Sequence, residues 1–221
     1  MIEAFSPKTN LIFICSPNNP TGNLMEREAV IEVIENFDGI VIIDEAYIDF
    51  ASTPSFTEEL QKYPNLVVLQ TFSKAWGMAG LRVGTAFASP EIVALLNRVK
   101  PPYNISTTAQ QILLEALDQK SQIDEWIKIS KTEREALRIA LLELDLVQTI
   151  YPSDANFLLA KVADAVGIYK SLVAKGIVVR DRSNVELCEG CLRITVGTAD
   201  ENRQLIAALR DFGSKLEVSI I

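Results

Sequence analysis

The sequence predicts an α/β protein with a mostly parallel sheet, joined to a smaller α/β domain towards the carboxyl end. Continuous apolar runs of strand length recur through the first half, separated by segments of helical period. Pro101-Pro102 then breaks the chain, and beyond it long helical segments give way to short strands alternating with helices. At 221 residues and 48% apolar, the chain has ample material for a packed core.

Leu11 to Cys15 reads as a strand buried on both faces, because it carries no polar alternation. A helix is expected from about Glu26 to Asn36, with Ala29, Val30, Val33, Ile34 and Phe37 on its apolar side. Gly39 ends it, and Ile40 to Ile43 forms a second buried strand. A shorter helix near Phe56 to Lys62 leads to the third strand, Leu66 to Leu69. This strand-helix-strand repetition argues for a parallel sheet covered on both faces. The run Val83 to Ala88 follows too closely for a parallel crossover and is expected to run antiparallel. Ser89-Pro90-Glu91 then opens a helix, with serine as cap and proline at the first position. Further helices are expected near Thr107 to Leu117, Ile123 to Leu144, Ala163 to Ala174 and Asp200 to Phe212. Short strands are expected at Asn156 to Ala160, Ile177 to Arg180 and Leu192 to Val196. The domains are accordingly placed at residues 1–118 and 119–221.

Composition narrows the chemistry. A net charge of −8 argues against a polyanion-binding surface, so no nucleic-acid partner is expected. No apolar run reaches the roughly 18 residues of a membrane span, and no signal segment is recognisable, so no membrane association is expected. Three cysteines without framework spacing fit a cytoplasmic, reducing setting. Histidine is absent, which removes serine-histidine and cysteine-histidine catalysis and histidine-ligated zinc from this chain. Cys188-Glu189-Gly190-Cys191 has no second pair to complete a tetrahedral metal site, and no metal is expected. Asn104-Ile105-Ser106 is a glycosylation sequon in form only. Catalysis must rest on Lys, Asp, Tyr, Arg or a borrowed cofactor.

In open α/β sheets, ligands bind beyond the carboxyl ends of the strands. The first strand runs into Ser16-Pro17-Asn18-Asn19-Pro20-Thr21-Gly22, the second into Asp44-Glu45-Ala46-Tyr47, and the third into Thr71-Phe72-Ser73-Lys74. One rim thus receives an amide, a carboxylate with a phenol, and an amine with two hydroxyls. Each group has an ordinary explanation as turn or cap chemistry, but three in succession are much less probable. A lysine amine forms a Schiff base with an aldehyde. A carboxylate beside a pyridine nitrogen keeps it protonated and turns the ring into an electron sink. Asn19 and Tyr47 can hydrogen-bond a ring oxygen, and Thr71, Ser73 and Arg82 can hold a phosphate. Together these groups describe a pyridoxal 5′-phosphate site.

The stretches "SPNNPTG", "DEAY" and "SKAWGMAGLR" resemble the three motif blocks of the fold-type I pyridoxal-phosphate aminotransferases, and within them the histidinol-phosphate aminotransferase subfamily. The resemblance implies the three-layer aminotransferase fold. It implies Lys74 as the cofactor-bearing lysine, Asp44 as the pyridinium partner, and Asn19 and Tyr47 on the ring oxygen. It also implies Ser73 and Arg82 on the phosphate, with Thr71 beside them. "VVRDRSNVELCEGCLRITVG" resembles the subfamily's carboxyl-terminal block, and implies Arg180 and Arg193 as substrate-anion residues. Arg182 is able to face the same side by strand alternation but lies outside the motif.

The implied reaction moves an amino group between L-histidinol phosphate and 2-oxoglutarate, in histidine biosynthesis, within a homodimer. The family carries a large portion ahead of the first strand seen here, with a Gly-rich phosphate loop and a ring-stacking aromatic residue. The chain is therefore expected to be a carboxyl-terminal portion with an incomplete large domain, inactive alone. A threonine-phosphate decarboxylase, an aromatic amino-acid aminotransferase and a catalytically inactive piece of the same fold are the alternatives.

Overall fold

The computed structural model describes Phe5, Ser6 and residues 8–218, with 215–218 as helix backbone alone. The chain divides into two compact units, one of Met1–Asn18 and Leu24–Trp126, the other of Asn19–Asn23 and Ile127–Ile221.

The first unit holds a sheet in the order β1 (Leu11–Cys15), β2 (Ile40–Asp44), β3 (Leu66–Thr71), β4 (Gly84–Ala88). The first three strands are parallel, and β4 returns antiparallel on β3, pairing Thr71 with Gly84. A short connection cannot carry a chain back to the starting end of β3, so antiparallel return is the available geometry. Helix α1 (Arg27–Glu35) joins β1 to β2 and buries Val30, Val33 and Ile34 against Ile12, Ile14, Val41 and Ile43. Val41 and Ile43 are fully buried, each contributing about 1.5–3 kcal/mol of transfer free energy.

The expectation that β1 is buried on both faces, under a sheet covered on both sides, is corrected. Its residues alternate, with Ile12 and Ile14 buried but Leu11 50% and Phe13 64% exposed. The strand lies at the sheet edge, and α1 supplies cover to one face alone. An apolar run shows what a strand can bury, not what is present to cover it.

The helix expected near Phe56 is a short 3₁₀ turn, Phe56–Glu59, capped by Ser55, whose hydroxyl accepts from the Thr57 N–H. Helix α2 (Pro90–Val99) begins as expected, with the Ser89 hydroxyl accepting from the Ile92 N–H at 3.5 Å. Helix α3 (Thr107–Leu117) is capped in the same way by Ser106, and α4 (Lys120–Leu142) crosses the division between the units.

The second unit is built on an antiparallel sheet in the order β5 (Val147–Ile150), β6 (Phe157–Val162), β8 (Cys191–Thr195), β7 (Arg180–Asp181). Helices α5 (Ala165–Ala174) and α6 (Ala199–Val218) pack on it through Ile168, Leu172, Leu205 and Leu209. Strand β5 is absent from the sequence reading because Val-Gln-Thr-Ile is a short, half-polar edge segment.

The run Ile177-Val178-Val179, expected as strand, is spent otherwise. Gly176 adopts φ +77°, its N–H bonds the Val173 carbonyl, and the Ile177 N–H bonds the Leu172 carbonyl at 2.9 Å. This pair of backward bonds terminates α5 as a Schellman motif and commits the Ile177 donor before any ladder begins.

Candidate active site

In the first unit, the carboxyl ends of the parallel strands carry the expected groups. Cys15 of β1 pairs with Asp44 of β2, and Asp44 with Leu69 of β3. Asp44 is half-buried, and its Oδ1 accepts from the Ala46 N–H at 3.0 Å. Its other oxygen makes no hydrogen bond among the described residues. Partial burial raises the Cys15 thiol above its ordinary pKa, and the facing Asp44 charge raises it further.

The strand end that presents Asp44 is anchored from behind. Glu45 is 1% exposed and accepts from Ser55 Oγ at 2.5 Å, the Phe56 N–H at 2.7 Å and Gln70 Nε2 at 2.9 Å. In the sequence Glu45 gives no sign of this role, since a carboxylate beside Asp44 carries no mark of burial. Its role is to tie the end of β2 to β3 and to the turn at Phe56.

Lys74 is exposed and stands with Nζ 5.1 Å from the ring centroid of Tyr47, itself buried. Its loop is shaped by a bond from the Gly77 N–H to the Lys74 carbonyl, with Gly77 at φ +68°. Phe72 and Trp76 meet edge to face within that loop, ring centroids 5.4 Å apart. Thr71 Oγ1 accepts from the Ser73 N–H at 3.1 Å and donates to the Val83 carbonyl at 3.3 Å. Thr71 therefore positions Ser73, whose own hydroxyl makes no hydrogen bond among the described residues. Arg82 sits in the left-handed region at φ +57° and places Nη1 3.2 Å from the Ala79 carbonyl. A non-glycine residue held there costs about 1–3 kcal/mol, a strain that concentrates at functional sites.

The remaining expected residues lie in the second unit. Asn19 Oδ1 accepts a hydrogen bond from Arg193 Nη1 at 2.9 Å, which joins two positions far apart in sequence. Arg193 also lies with its guanidinium 5.0 Å from the Phe157 ring centroid. Arg180 is exposed on β7 and pairs directly with Arg193 across the ladder, so both leave the same face. The turn carrying Asn19 is closed by a bond from the Asp154 N–H to the Gly22 carbonyl at 2.7 Å.

The sequence matches the family "Aminotransferase class I and II" over residues 1–209. The chain belongs to this family. It is 53% identical over 212 residues to the histidinol-phosphate aminotransferase of Bacteroides fragilis (strain YCH46), covering 96% of this chain and 61% of that protein. Among solved structures, the histidinol-phosphate aminotransferase of Clostridium acetobutylicum superposes with a TM-score of 0.88 at 27% identity, over 93% of this chain and 64% of that one. L-threonine-O-3-phosphate decarboxylase of Porphyromonas gingivalis superposes at 0.84 and 26% identity, over 95% and 66%. The chain thus spans about 61% of the length of the curated relatives it matches.

Class I and II aminotransferases depend on pyridoxal 5′-phosphate, and the first unit fits that group. It offers an amine held beside a phenol ring, a strand-end carboxylate with one uncommitted oxygen, and a serine hydroxyl without a partner. Among the described residues no cluster suited to a metal ion exists, and no helix is long and apolar enough to cross a membrane.

Proposed function

We propose that the protein to which this chain belongs is a pyridoxal-phosphate-dependent aminotransferase acting on L-histidinol phosphate and 2-oxoglutarate, to give imidazole acetol phosphate and glutamate. The observation that carries the reading is the 53% identity to a histidinol-phosphate aminotransferase over almost the whole chain. The reading is supported by the placement of an amine, a carboxylate and a phenol at one sheet rim.

When bound, the cofactor supplies an electron sink for charge that develops on the substrate carbon. Lys74 is the amine that anchors it, and once released carries the proton to and from the substrate carbon as a positioned base. Asp44 sets its uncommitted oxygen against the ring nitrogen and keeps a proton there. Tyr47 and Asn19 hold the ring oxygen, Ser73 and Arg82 hold the phosphate, and Thr71, its own proton given to the Val83 carbonyl, positions Ser73 for it. Arg193, oriented by Asn19 and Phe157, takes the substrate's anionic group. Arg180, on the same face, takes a second anion.

The active form is read as a cytoplasmic homodimer, the state that the family resemblance implies. This chain by itself is expected not to transaminate. Assembly with the remaining portion of the relatives' length, followed by assay with L-histidinol phosphate, O-phospho-L-threonine and phenylalanine, tests the assignment. Preference for L-histidinol phosphate supports it, and carbon dioxide release from O-phospho-L-threonine would replace it with the decarboxylase reading.

A further inference from the structure

Cys188-Glu189-Gly190-Cys191 closes the link from β7 to β8 and carries none of the groups assigned to the active site. The link is a run of turns, each closed by a backbone bond over three residues. The Val185 N–H bonds the Arg182 carbonyl at 2.8 Å, the Cys188 N–H the Val185 carbonyl at 2.9 Å, and the Cys191 N–H the Cys188 carbonyl at 3.0 Å. The last turn has Gly190 at its third position with φ +71°, a conformation that glycine adopts without strain. A turn of this kind holds its first and fourth Cα atoms within about 7 Å. A disulfide spans Cα separations of about 4.4–6.8 Å, so the backbone already sets the two cysteines at bridging range.

Both side chains enter the same apolar pocket. Cys188 is 3% and Cys191 1% exposed, and they form one cluster with Leu159, against which Tyr151 packs. Glu186, Leu187 and Glu189, the chain neighbours of Cys188, are exposed, so a local opening of the loop is enough to reach its sulfur. Burial pushes the Cys191 thiol up, and Cys188 facing it adds to the rise, while Lys161, its partner across the ladder, works the other way. The Cys191 thiol donates only weakly, to the Glu189 carbonyl at 3.8 Å. A disulfide carries neither proton nor charge, and suits this pocket better than a thiolate does. Among the described residues no third ligand joins the pair to make a metal site.

We propose that Cys188 and Cys191 form a site of reversible thiol–disulfide exchange, closed by a low-molecular-weight disulfide such as oxidised glutathione. Cys188, the less deeply buried of the two, attacks first. It gives its proton to solvent, and its thiolate attacks one sulfur of the reagent. The reagent's S–S bond breaks, and one half leaves as a thiolate. Cys191 then gives up its proton and attacks the Cys188 sulfur, which expels the other half. The two released thiolates take up the two protons, and two electrons have passed from the protein's sulfurs to the reagent's. In a reducing setting the pair rests as thiols, and it closes when the small disulfide accumulates.

The full chain is equilibrated with mixtures of reduced and oxidised glutathione, quenched with acid, unfolded and alkylated with N-ethylmaleimide. Trypsin cuts after Arg182 and Arg193, so one peptide carries both cysteines, and closure leaves it unalkylated and two hydrogens lighter. The effective concentration for closure should exceed that of the free synthetic peptide 183–193 by about tenfold or more, because the fold holds the turn. Dithiothreitol should restore both thiols. Cys191→Ala should trap a glutathione adduct on Cys188, and Cys188→Ala should show about tenfold less adduct on Cys191. The reverse preference would overturn the order of attack. The wild-type chain needs no variant to decide the main point: closure no easier in the folded chain than in the free peptide overturns the proposal. So does a chain that remains fully alkylated on both cysteines in glutathione mixtures that close the peptide.

Discussion

Replacing Glu45 by alanine removes a carboxylate that is 1% exposed and accepts three hydrogen bonds, one each from Ser55, Phe56 and Gln70. The Phe56 N–H is buried with it, so losing that acceptor strands a backbone donor at about 1–3 kcal/mol. Ser55 and Gln70 are half-buried, bond each other at 3.1 Å and can recruit water, so their loss adds roughly 1 kcal/mol together. The removed side-chain volume adds a cavity cost, bringing the sum to about 3–4 kcal/mol. With a urea dependence of about 1–3 kcal/mol per molar, the midpoint of the transition that exposes Trp76 should fall by about 1–4 M. Glu45→Gln keeps the shape but turns an NH₂ towards one of the three donors, and should cost about half as much. Because Glu45 adjoins Asp44, both variants should also loosen the strand end that presents it. Urea titration of the full chain, followed by Trp76 fluorescence against the Trp126 background, provides the measurement. A midpoint shift below the equivalent of about 0.5 kcal/mol in Glu45→Ala would show that these hydrogen bonds do not hold the rim.

In the assembled enzyme, borohydride reduction with the cofactor present should leave the pyridoxyl group on the peptide containing Lys74; its appearance on another lysine would displace Lys74 from its role. Asp44→Asn should slow proton removal by roughly 10²-fold or more, since the ring nitrogen loses its charge partner. The same variant removes a negative charge facing Cys15, so the thiol pKa should drop, with burial still holding it above the ordinary value. Iodoacetamide should then modify Cys15 faster at neutral pH, and an unchanged rate would deny the electrostatic contact. Arg193→Lys should raise KM for the amino donor despite keeping the charge, because an ammonium cannot reproduce a two-pronged contact while also bonding Asn19. Gly22→Ala should destabilise the second unit by more than 1 kcal/mol, measured as a lowered urea midpoint. Gly22 has φ +83°, and an added methyl would collide with the Ser153 side chain.

Much of the first unit was legible because its signals are local. The apolar runs at Ile40 and Leu66, the serine and proline at Ser89-Pro90, and the short link before Gly84 act within a few residues, and the strands, cap and antiparallel return follow from them. The motif blocks are equally local, which is why Asp44, Tyr47 and Lys74 could be named from the strand ends alone. What depended on partners distant in sequence was not legible. Leu11 and Phe13 read as buried, but burial is a property of the covering layer, which this chain supplies on one face of β1 only. Ile177 to Val179 reads as strand, but the backward bonds that end α5 claim its first donor. The bond from Arg193 to Asn19, the enclosure of Glu45 and the burial of Cys188 with Cys191 exist only once the chain is folded. The sequence by itself determined which chemical groups stand at the strand ends, because side-chain identity and strand period are written locally; tertiary structure alone decided which of those groups are satisfied by the protein and which are left for a ligand, because desolvation and hydrogen-bond partners are set by packing across the chain.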